Sequence, residues 1–308
     1  MISVNELEKS FGSLKAVDHI SFEVSDGELF GFLGPNGAGK TTTLNMLCGL
    51  LKPDSGTCVI DGTDVWQSPK QAKKNIGLVP QDLALYEELT AMENLKFWGG
   101  LYHLPGAELK KSIHEVLERV GLSDRAKEPV KQFSGGMKRR LNLAIGLVHK
   151  PKFVLLDEPT VGIDPQARNA ILDIIREIAN EGATILFTTH HLEEAEALCQ
   201  RIAIIDHGKI LEIGTIDELA QVVGDGDVVS IRGEFSASKI QAALSGHQIK
   251  ILTVSENSVT LSLKENGFGI GQLVQMMTDA GLSIADISIQ KPSLESVFLK
   301  LTGRELRD

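Results

Sequence analysis

A glycine-rich octapeptide near the amino terminus constrains this chain more than any other feature. Residues 34–41 match the pattern G-x-x-x-x-G-K-[ST], whose backbone amides and lysine are suited to holding the phosphates of a nucleotide. The apolar stretch at residues 29–33 predicts a buried strand before the loop, and residues 41–50 predict a helix after it. Because the order strand, loop, helix is the one that this pattern requires, nucleotide binding is the leading hypothesis.

Each part of this loop has a physical reason to bind phosphate. The glycines allow the backbone to curl with its amides inward, and the following helix adds the positive end of its dipole. Lys40 is expected to neutralise the outer phosphates, and the Thr41 hydroxyl is expected to ligate magnesium. An ordinary glycine-rich turn with an exposed lysine is the alternative. The residues expected to contact the nucleotide are Gly34, Pro35, Asn36, Gly37, Ala38, Gly39, Lys40, Thr41 and Thr42.

Length and composition restrict the class of protein. The 308 residues have room for about two domains of ~150 residues each. A formal net charge of −10 argues against a nucleic-acid surface, which would need a clustered basic face. The three cysteines are far apart and odd in number, which predicts buried, reduced thiols in a cytosolic compartment. No signal-peptide pattern and no apolar run of about 18 residues occurs, so we expect a chain that is neither secreted nor membrane-spanning.

Apolar runs alternate with helical patterns up to about residue 216, which predicts a layered α/β domain over residues 1–216. The runs at 153–156 and 184–187 lack polar alternation, as expected for parallel strands covered on both faces. Asp157 and Glu158 follow the first run, and Thr188, Thr189 and His190 follow the second. These side chains should therefore meet at the carboxyl edge of the sheet, where open α/β folds bind ligands.

A different pattern covers residues 217–308. Strands are predicted at 228–231, 249–254, 258–263 and 283–289, and helices at 237–244, 270–280 and 293–301. The order β-α-β-β-α-β followed by a helix predicts a small α+β domain of ferredoxin-like topology, joined through the Gly-Asp-rich residues 224–227.

Further motifs distinguish among the many proteins that carry a phosphate loop. The segment Phe-Ser-Gly-Gly-Met at 133–137 is followed after about twenty residues by the strand and Asp-Glu-Pro of 153–159. Gln81, the segment Val-Gly-Ile-Asp-Pro at 161–165, and His190 occur in the matching order. Over residues 1–216 the chain resembles the ATP-binding cassette (ABC) family, which implies an ATPase with a P-loop nucleotide-binding domain, a mixed sheet flanked by helices, and a helical subdomain.

The resemblance implies a role for five side chains. Phe11 matches the aromatic ring that stacks on adenine, although a position in the core of an amino-terminal sheet is the alternative. Asp157 is expected to hold magnesium, and Glu158 to be the base that polarises the attacking water. Gln81 matches a residue between magnesium and the water, and His190 matches the contact to the γ-phosphate. The implied cofactors are ATP and Mg²⁺.

The same resemblance implies that a second subunit completes the site. Ser134, Gly135 and Gly136 start a helix and form an anion site separate from the phosphate loop, which in the family serves the ATP held by the partner. Two cassettes then face each other head to tail, as a homodimer or a heterodimer, with Asp164 crossing the interface. Met137 replaces the glutamine that is commoner in the family, so a side-chain contact from this position is in doubt.

Two segments resemble the drug-export branch of the family. One is Met137 with the basic residues 138–140, although a solvated helix face is the preferred interpretation of those charges. The other is residues 292–304, which look like the closing segment of ABC-2 type and antibiotic-resistance ATPases, and which also predict an amphipathic helix.

The sequence therefore predicts an ATP-hydrolysing subunit of an ABC-2 type exporter, on the cytoplasmic face of a membrane beside a separate permease. The helical stretch 86–104 is expected to meet that permease, while core packing of Trp98 and Tyr102 is an equal alternative. A translation or DNA-repair ATPase, and an importer ATPase, remain as alternative functions. The cargo is not encoded in these residues.

Overall fold

The computed structural model describes residues 1–223, 227–234, 240, 244, 249–255, 257–263, 269–291 and 293–303. The chain divides into two compact units, Met1–Ile210 and Leu211–Asp308. The division after residue 216 that the sequence indicates stays a prediction, since contacts separate the units slightly earlier.

The first unit contains two sheets. Its strands are β1 (Ile2–Phe11), β2 (Leu14–Val24), β3 (Leu29–Leu33), β4 (Ser55–Ile60), β5 (Thr63–Asp64), β6 (Ile76–Val79), β7 (Phe153–Asp157), β8 (Thr184–Thr189) and β9 (Arg201–Asp206), with β10 (Lys209–Gly214) continuing into the second unit. One sheet has the order β2-β1-β4-β5 and is antiparallel. The other has the order β10-β9-β3-β8-β7-β6, and the pairs from β9 to β6 are parallel.

Helices cover the parallel sheet and form a helical subdomain. They are α1 (Lys40–Leu47), α2 (Pro69–Lys74), α3 (Ala91–Leu101), α4 (Gly106–Arg119), α5 (Gly135–Leu147), α6 (Pro165–Asn180) and α7 (Leu192–Leu198). The first helix of the second unit is α8 (Ile216–Val223), which follows β10. Side-chain caps fix three of these helix starts: Thr90 with Glu93 at α3, Ser134 at α5 and Asp164 at α6.

The two apolar runs of the sequence are buried strands, as predicted. Every residue of β7 and of β8 is buried. Their neighbour β3 is also buried throughout, so hydrophobic burial fixes the three strands side by side. The order β3-β8-β7 then places the ends of these strands at one edge of the sheet.

The second unit contains the predicted ferredoxin-like sheet. Its strands are β11 (Asp227–Glu234), β12 (Ile249–Val254), β13 (Ser258–Leu263) and β14 (Ser283–Gln290), in the antiparallel order β12-β13-β11-β14. The helices α9 (Ile270–Asp279) and α10 (Leu294–Thr302) follow β13 and β14. Leu273 and Met277 of α9 are buried against the apolar face of the sheet.

The remaining predictions for this unit are partly testable. The predicted helix 237–244 lies outside the described residues except for Ile240 and Leu244, which are helical and buried. The linker 224–227 also lies outside them, apart from Asp227 at the start of β11. The closing helix begins after the cap Ser293 and ends at Gly303 in the left-handed conformation, as its sequence indicates. It packs against α8, and Lys300 donates a hydrogen bond to the Val222 carbonyl.

The three cysteines, Cys48, Cys58 and Cys199, are free and buried, as predicted. Among the described residues, no helix is long and apolar enough to cross a membrane.

Two glycines set the distance between α5 and the sheet. A Cβ added at Gly77 on β6 would collide with the backbone carbonyl of Gly146 on α5, and one added at Gly146 would lie 2.6 Å from a methyl group of Val79. Because the helix and strand touch through backbone, a larger residue at either position must move α5, which carries the Ser-Gly-Gly segment at its start.

We expect Gly77→Ala to lower the free energy of unfolding by about 1–3 kcal/mol, because neither backbone can yield easily. Gly100→Ala is the matched control, since Gly100 is exposed and an added Cβ there meets nothing within 4 Å. That control should be neutral or slightly stabilising, because alanine favours a helix more than glycine does. Chemical denaturation of both variants measures the difference, and equal stability would contradict the close contact.

Candidate nucleotide site

The phosphate loop joins β3 to α1 in the predicted manner. Gly39 has a φ of 107°, and a Cβ there would collide with the carbonyl oxygen of Ala16, so this position requires glycine. Lys40 is 4% exposed, and its ammonium donates hydrogen bonds to the carbonyls of Gly34 at 2.6 Å and Pro35 at 3.1 Å. The lysine is therefore buried beneath the loop, which excludes the alternative of an ordinary turn with an exposed lysine.

An open cleft of about 460 Å³ lies over this loop. It is lined by Phe11, Leu14, Ala16, Asn36, Gly37, Ala38, Gly39, Lys40, Thr41, Thr42, Gln81 and Glu158. Phe11 is 50% exposed at its rim, so the alternative of a Phe11 buried in the sheet core is wrong. Gln81 is also exposed on the cleft. The structure thus places predicted residues from four separate segments around one cavity.

Two adjacent carboxylates stand at the end of β7. Asp157 and Glu158 are each 4% exposed, and Glu158 has a positive φ of 45°, unusual for a residue with a side chain. The hydroxyl of Thr188, at the same level of β8, accepts a hydrogen bond from the Glu158 amide at 3.0 Å and donates one to Asp157 Oδ1 at 2.9 Å. Thr188 therefore holds the turn that directs the two side chains differently.

The Glu158 carboxylate lies between the Lys40 ammonium and the His190 imidazole. Its Oε1 is 2.9 Å from the Lys40 ammonium, and its Oε2 is 3.0 Å from His190 Nδ1. Burial raises the pKa of the Glu158 carboxyl, but the hydrogen bonds and charges of His190 and Lys40 outweigh burial and lower that pKa to about 2. The carboxylate is ionised at neutral pH, and because it only accepts hydrogen bonds, His190 donates from Nδ1.

Asp157 is in a different electrostatic environment. Burial is the main cause that raises the pKa of its carboxyl above the usual range, against the hydrogen bonds from Thr41 and Thr188. A nearby cation stabilises a desolvated carboxylate. The oxygens of Asp157 and Thr41 are metal ligands of the kind that magnesium prefers.

The Ser-Gly-Gly segment lies outside this cleft. Ser134 caps α5 by accepting a hydrogen bond from the Met137 amide at 3.3 Å, and both Ser134 and Gly135 are exposed. Gly136 is buried against α6. A Cβ added at this position would lie only 2.6 Å from the Cβ of Ala167. The described cleft and this helix start are thus separate surfaces of one chain.

The prediction that the basic residues 138–140 form a solvated face is wrong for Arg139. This side chain is 8% exposed and donates hydrogen bonds to the backbone carbonyls of Gln81 and, at 2.9 Å, of Val161. Arg139 lies three residues after Gly136 and four residues before Leu143, which are both buried. This helical spacing in the sequence indicates that Arg139 is on the buried face of α5.

These features define a class of protein: a P-loop nucleotide-binding domain with a carboxylate and a histidine at the phosphate end of its cleft. A family model described as "ABC transporter" matches residues 17–161. The linearmycin resistance ATP-binding protein LnrL of Bacillus subtilis (strain 168) is 42% identical over 311 residues, covering all of both chains. The daunorubicin resistance ATP-binding protein DrrA3 of Streptomyces coeruleorubidus is 38% identical, covering 99% of this chain and 97% of its own.

Solved structures of ATP-binding cassettes have the same fold as this chain. The ATP-binding subunit of an ABC transporter superimposes with a TM-score of 0.67 at 31% identity, over 73% of this chain and 93% of that one. A dimeric, post-hydrolysis state of the ATP-binding cassette MJ0796 with ADP and phosphate gives 0.64 at 26% identity, over 70% and 98%.

The chain belongs to the ABC transporter family, and the predicted fold class is confirmed. It is an ATP-hydrolysing, ATP-binding protein of the exporter branch. The relatives support this prediction over the alternatives of a translation, DNA-repair or importer ATPase.

We expect Thr188→Val to lower the free energy of unfolding by about 1–3 kcal/mol, because the buried Glu158 amide loses its acceptor and Asp157 loses a donor. Thr188→Ser keeps the hydroxyl and should retain most of this stability. Chemical denaturation of the two variants tests the prediction, and a valine variant as stable as the serine variant would contradict it.

Proposed function

We propose that this chain is the motor subunit of an ABC-2 type exporter, working as a head-to-tail dimer on a separate permease. The observation that carries the proposal is the contact of Glu158 with both Lys40 and His190 at the edge of the phosphate-loop cleft. Full-length similarity to resistance ATP-binding proteins supports the exporter type.

Glu158 is proposed to be the general base. Without nucleotide, the His190 hydrogen bond and the Lys40 ion pair hold the pKa of the Glu158 carboxyl at about 2. At this pKa the carboxylate is a weak proton acceptor. A phosphate group that attracts Lys40 weakens this ion pair, so the pKa of Glu158 rises when ATP is bound. His190 continues to orient the carboxylate, and in the proposed reaction it also contacts the γ-phosphate.

The metal expected with ATP is Mg²⁺, and the oxygens of Thr41, Gln81 and Asp157 are proposed to hold it. The donor set fits, because Mg²⁺ is usually bound through one or two carboxylates together with substrate phosphates. When bound, the ion neutralises charge on the phosphates and thereby helps the leaving group to depart.

Two further parts of the site recognise the rest of the nucleotide. The exposed ring of Phe11 at the cleft rim is available to stack on the adenine, and the loop residues 34–42 are proposed to hold the phosphates. Ser134, Gly135 and Gly136 are proposed to contact the ATP of the partner subunit, since their helix start is exposed and lies outside this chain's own cleft. Asp164, the cap of α6, is proposed to cross the dimer interface.

An apolar surface next to the Gln81 loop is proposed to meet the permease. Tyr86 and Phe97 are 47% and 42% exposed and pack edge to face with centroids 4.9 Å apart. A groove of about 300 Å³ beside them includes Pro80, Trp98 and Tyr102 in its lining, so these two aromatic residues are half-buried and still accessible. A partner segment in this groove touches the loop that carries Gln81, which connects transport to the cleft.

The relatives also suggest the class of cargo. Two are named for resistance to linearmycin and daunorubicin, and a third, from Ralstonia nicotianae, is a Nod factor export ATP-binding protein with 37% identity over all of this chain and 95% of its own. We propose a drug-like or lipid-like exported molecule, with the motor on the cytoplasmic face of the membrane.

We expect Glu158→Gln to reduce steady-state ATP hydrolysis by about 10²- to 10⁴-fold, while ATP affinity changes only slightly, because the amide keeps the side chain's shape but is not a base. Phosphate release and calorimetric ATP binding measure the two effects. Glu177→Gln, an exposed position on α6, is the control. Hydrolysis at the rate of the unmodified chain would contradict the assignment of Glu158.

The permease surface is tested with the tagged Glu158→Gln protein, recovered from its native membranes in the presence of ATP and magnesium. Mass spectrometry should identify a polytopic membrane protein, and adding Phe97→Ser should reduce its recovery by about tenfold through lost apolar contact. Adding Ile289→Ser instead, at a 50% exposed position on β14, is the control. Recovery of ribosomal or DNA-repair proteins without a membrane partner would contradict the exporter proposal.

A further inference from the structure

Glu194 on α7 is a buried carboxylate outside the nucleotide cleft. It is 3% exposed, although its neighbour Glu193 on the same helix turn is exposed. Because an ionised carboxylate is costly to bury, its partners indicate the reason for its position.

One oxygen of Glu194 binds two segments at once. Oε2 accepts a hydrogen bond from the Thr160 hydroxyl at 3.0 Å and another from the Thr189 hydroxyl at 2.8 Å. Both threonines are 1% exposed. Thr160 lies two residues after Glu158 and Thr189 lies one residue before His190, so a single atom connects the two segments that carry the Glu158–His190 contact.

The second oxygen faces a third element. Oε1 lies 3.6 Å from Nε of Arg168 on α6, and within the described part of the chain neither atom has a hydrogen-bond partner. Arg168 lies in the first turn of the helix that Asp164 caps, and its amide bonds to the Asp164 carbonyl. Glu194 therefore also faces the start of the segment that is proposed to cross the dimer interface.

We propose that Glu194 is a positioning residue for ATP hydrolysis, which holds the ends of β7 and β8 at the separation that the Glu158–His190 contact requires. This inference rests on the roles proposed above for Glu158 and His190. The contact between them is a hydrogen bond of 3.0 Å between side chains that directly follow two different strands, so a shift of one strand end by about 1 Å breaks it. No other residue among those described binds both Thr160 and Thr189 through its side chain.

The test compares three substitutions in the full chain. Glu194→Met keeps the length of the side chain but removes both acceptors, and it should lower kcat by roughly 10- to 100-fold with the KM for ATP changed less than about threefold. Glu194→Gln keeps a carbonyl oxygen that can accept both hydroxyls, and it should restore kcat to within about threefold of the unmodified chain. Glu193→Gln, at the exposed neighbouring position, is the control.

A merely structural role gives a different result. In that case Glu194→Met lowers the melting temperature while kcat per folded molecule stays unchanged, and this result would overturn the proposal. An equal loss of kcat in the glutamine variant would also overturn it, since the acceptor is then not the feature that matters. If the methionine variant does not fold, Thr189→Val with Thr189→Ser as its rescue replaces it, with the same expected split between kcat and KM.

The Glu158→Gln variant keeps this test separate from the proposed function. A low kcat for Glu158→Gln with unchanged kcat for Glu194→Met rejects the positioning role alone. Normal hydrolysis by Glu158→Gln rejects the role of Glu158, whatever the Glu194 variants show.

Discussion

The structure depends on burying two adjacent carboxylates, Asp157 and Glu158, at the end of a parallel strand. Charges in a poorly solvated environment must find partners, and these two find different ones because Glu158 adopts a left-handed backbone conformation. Asp157 bonds to Thr188, whereas Glu158 contacts Lys40 and His190. These partners come from two chain segments far apart in sequence, the start of α1 and the end of β8. The carboxylate pair thus requires β3, β7 and β8 to be neighbours, and the sheet order provides this arrangement.

Lys40 transmits this constraint to the phosphate loop. Its ammonium contacts the carbonyls of Gly34 and Pro35 as well as the carboxylate of Glu158, so the shape of the loop and the position of the carboxylate are set by one cation. Any ligand that competes for Lys40 changes the electrostatic state of Glu158 at the same time. Nucleotide binding and the proposed activation of Glu158 as a base would therefore be coupled through an ion pair that already exists in the isolated chain.

The sequence was sufficient to predict features that arise from local patterns. The strand Leu29–Leu33, the hairpin strands Ile249–Val254 and Ser258–Leu263, and the ferredoxin-like order of the second unit follow from hydrophobic periodicity and turn residues. The phosphate loop follows from a motif whose residues are contiguous. The roles of Thr188, Arg139 and Glu194 were not predicted, because each side chain bonds to a partner at least 22 residues away. Glu194 also bonds to Thr189, which is close in sequence, but that contact alone does not indicate its role. A polar residue on a buried stripe indicates that a partner exists, but only the tertiary fold identifies it.

Helix α5 shows how distant parts of the site are mechanically connected. Its start presents Ser134 at the surface, and two turns of the helix pack so closely on β6 and α6 that glycine is required at Gly146 and Gly136. Arg139 then joins the helix to the carbonyls of Gln81 and Val161, one in the loop next to the apolar groove and the other in the segment before α6. Because the close packing leaves α5 little freedom to deform, a displacement of its start moves both carbonyls with it. In the proposed assembly, a partner's nucleotide at Ser134 and a permease segment in the groove would consequently act on the same rigid element. Closure of the proposed dimer would then have a physical route by which to change the surface proposed to face the permease.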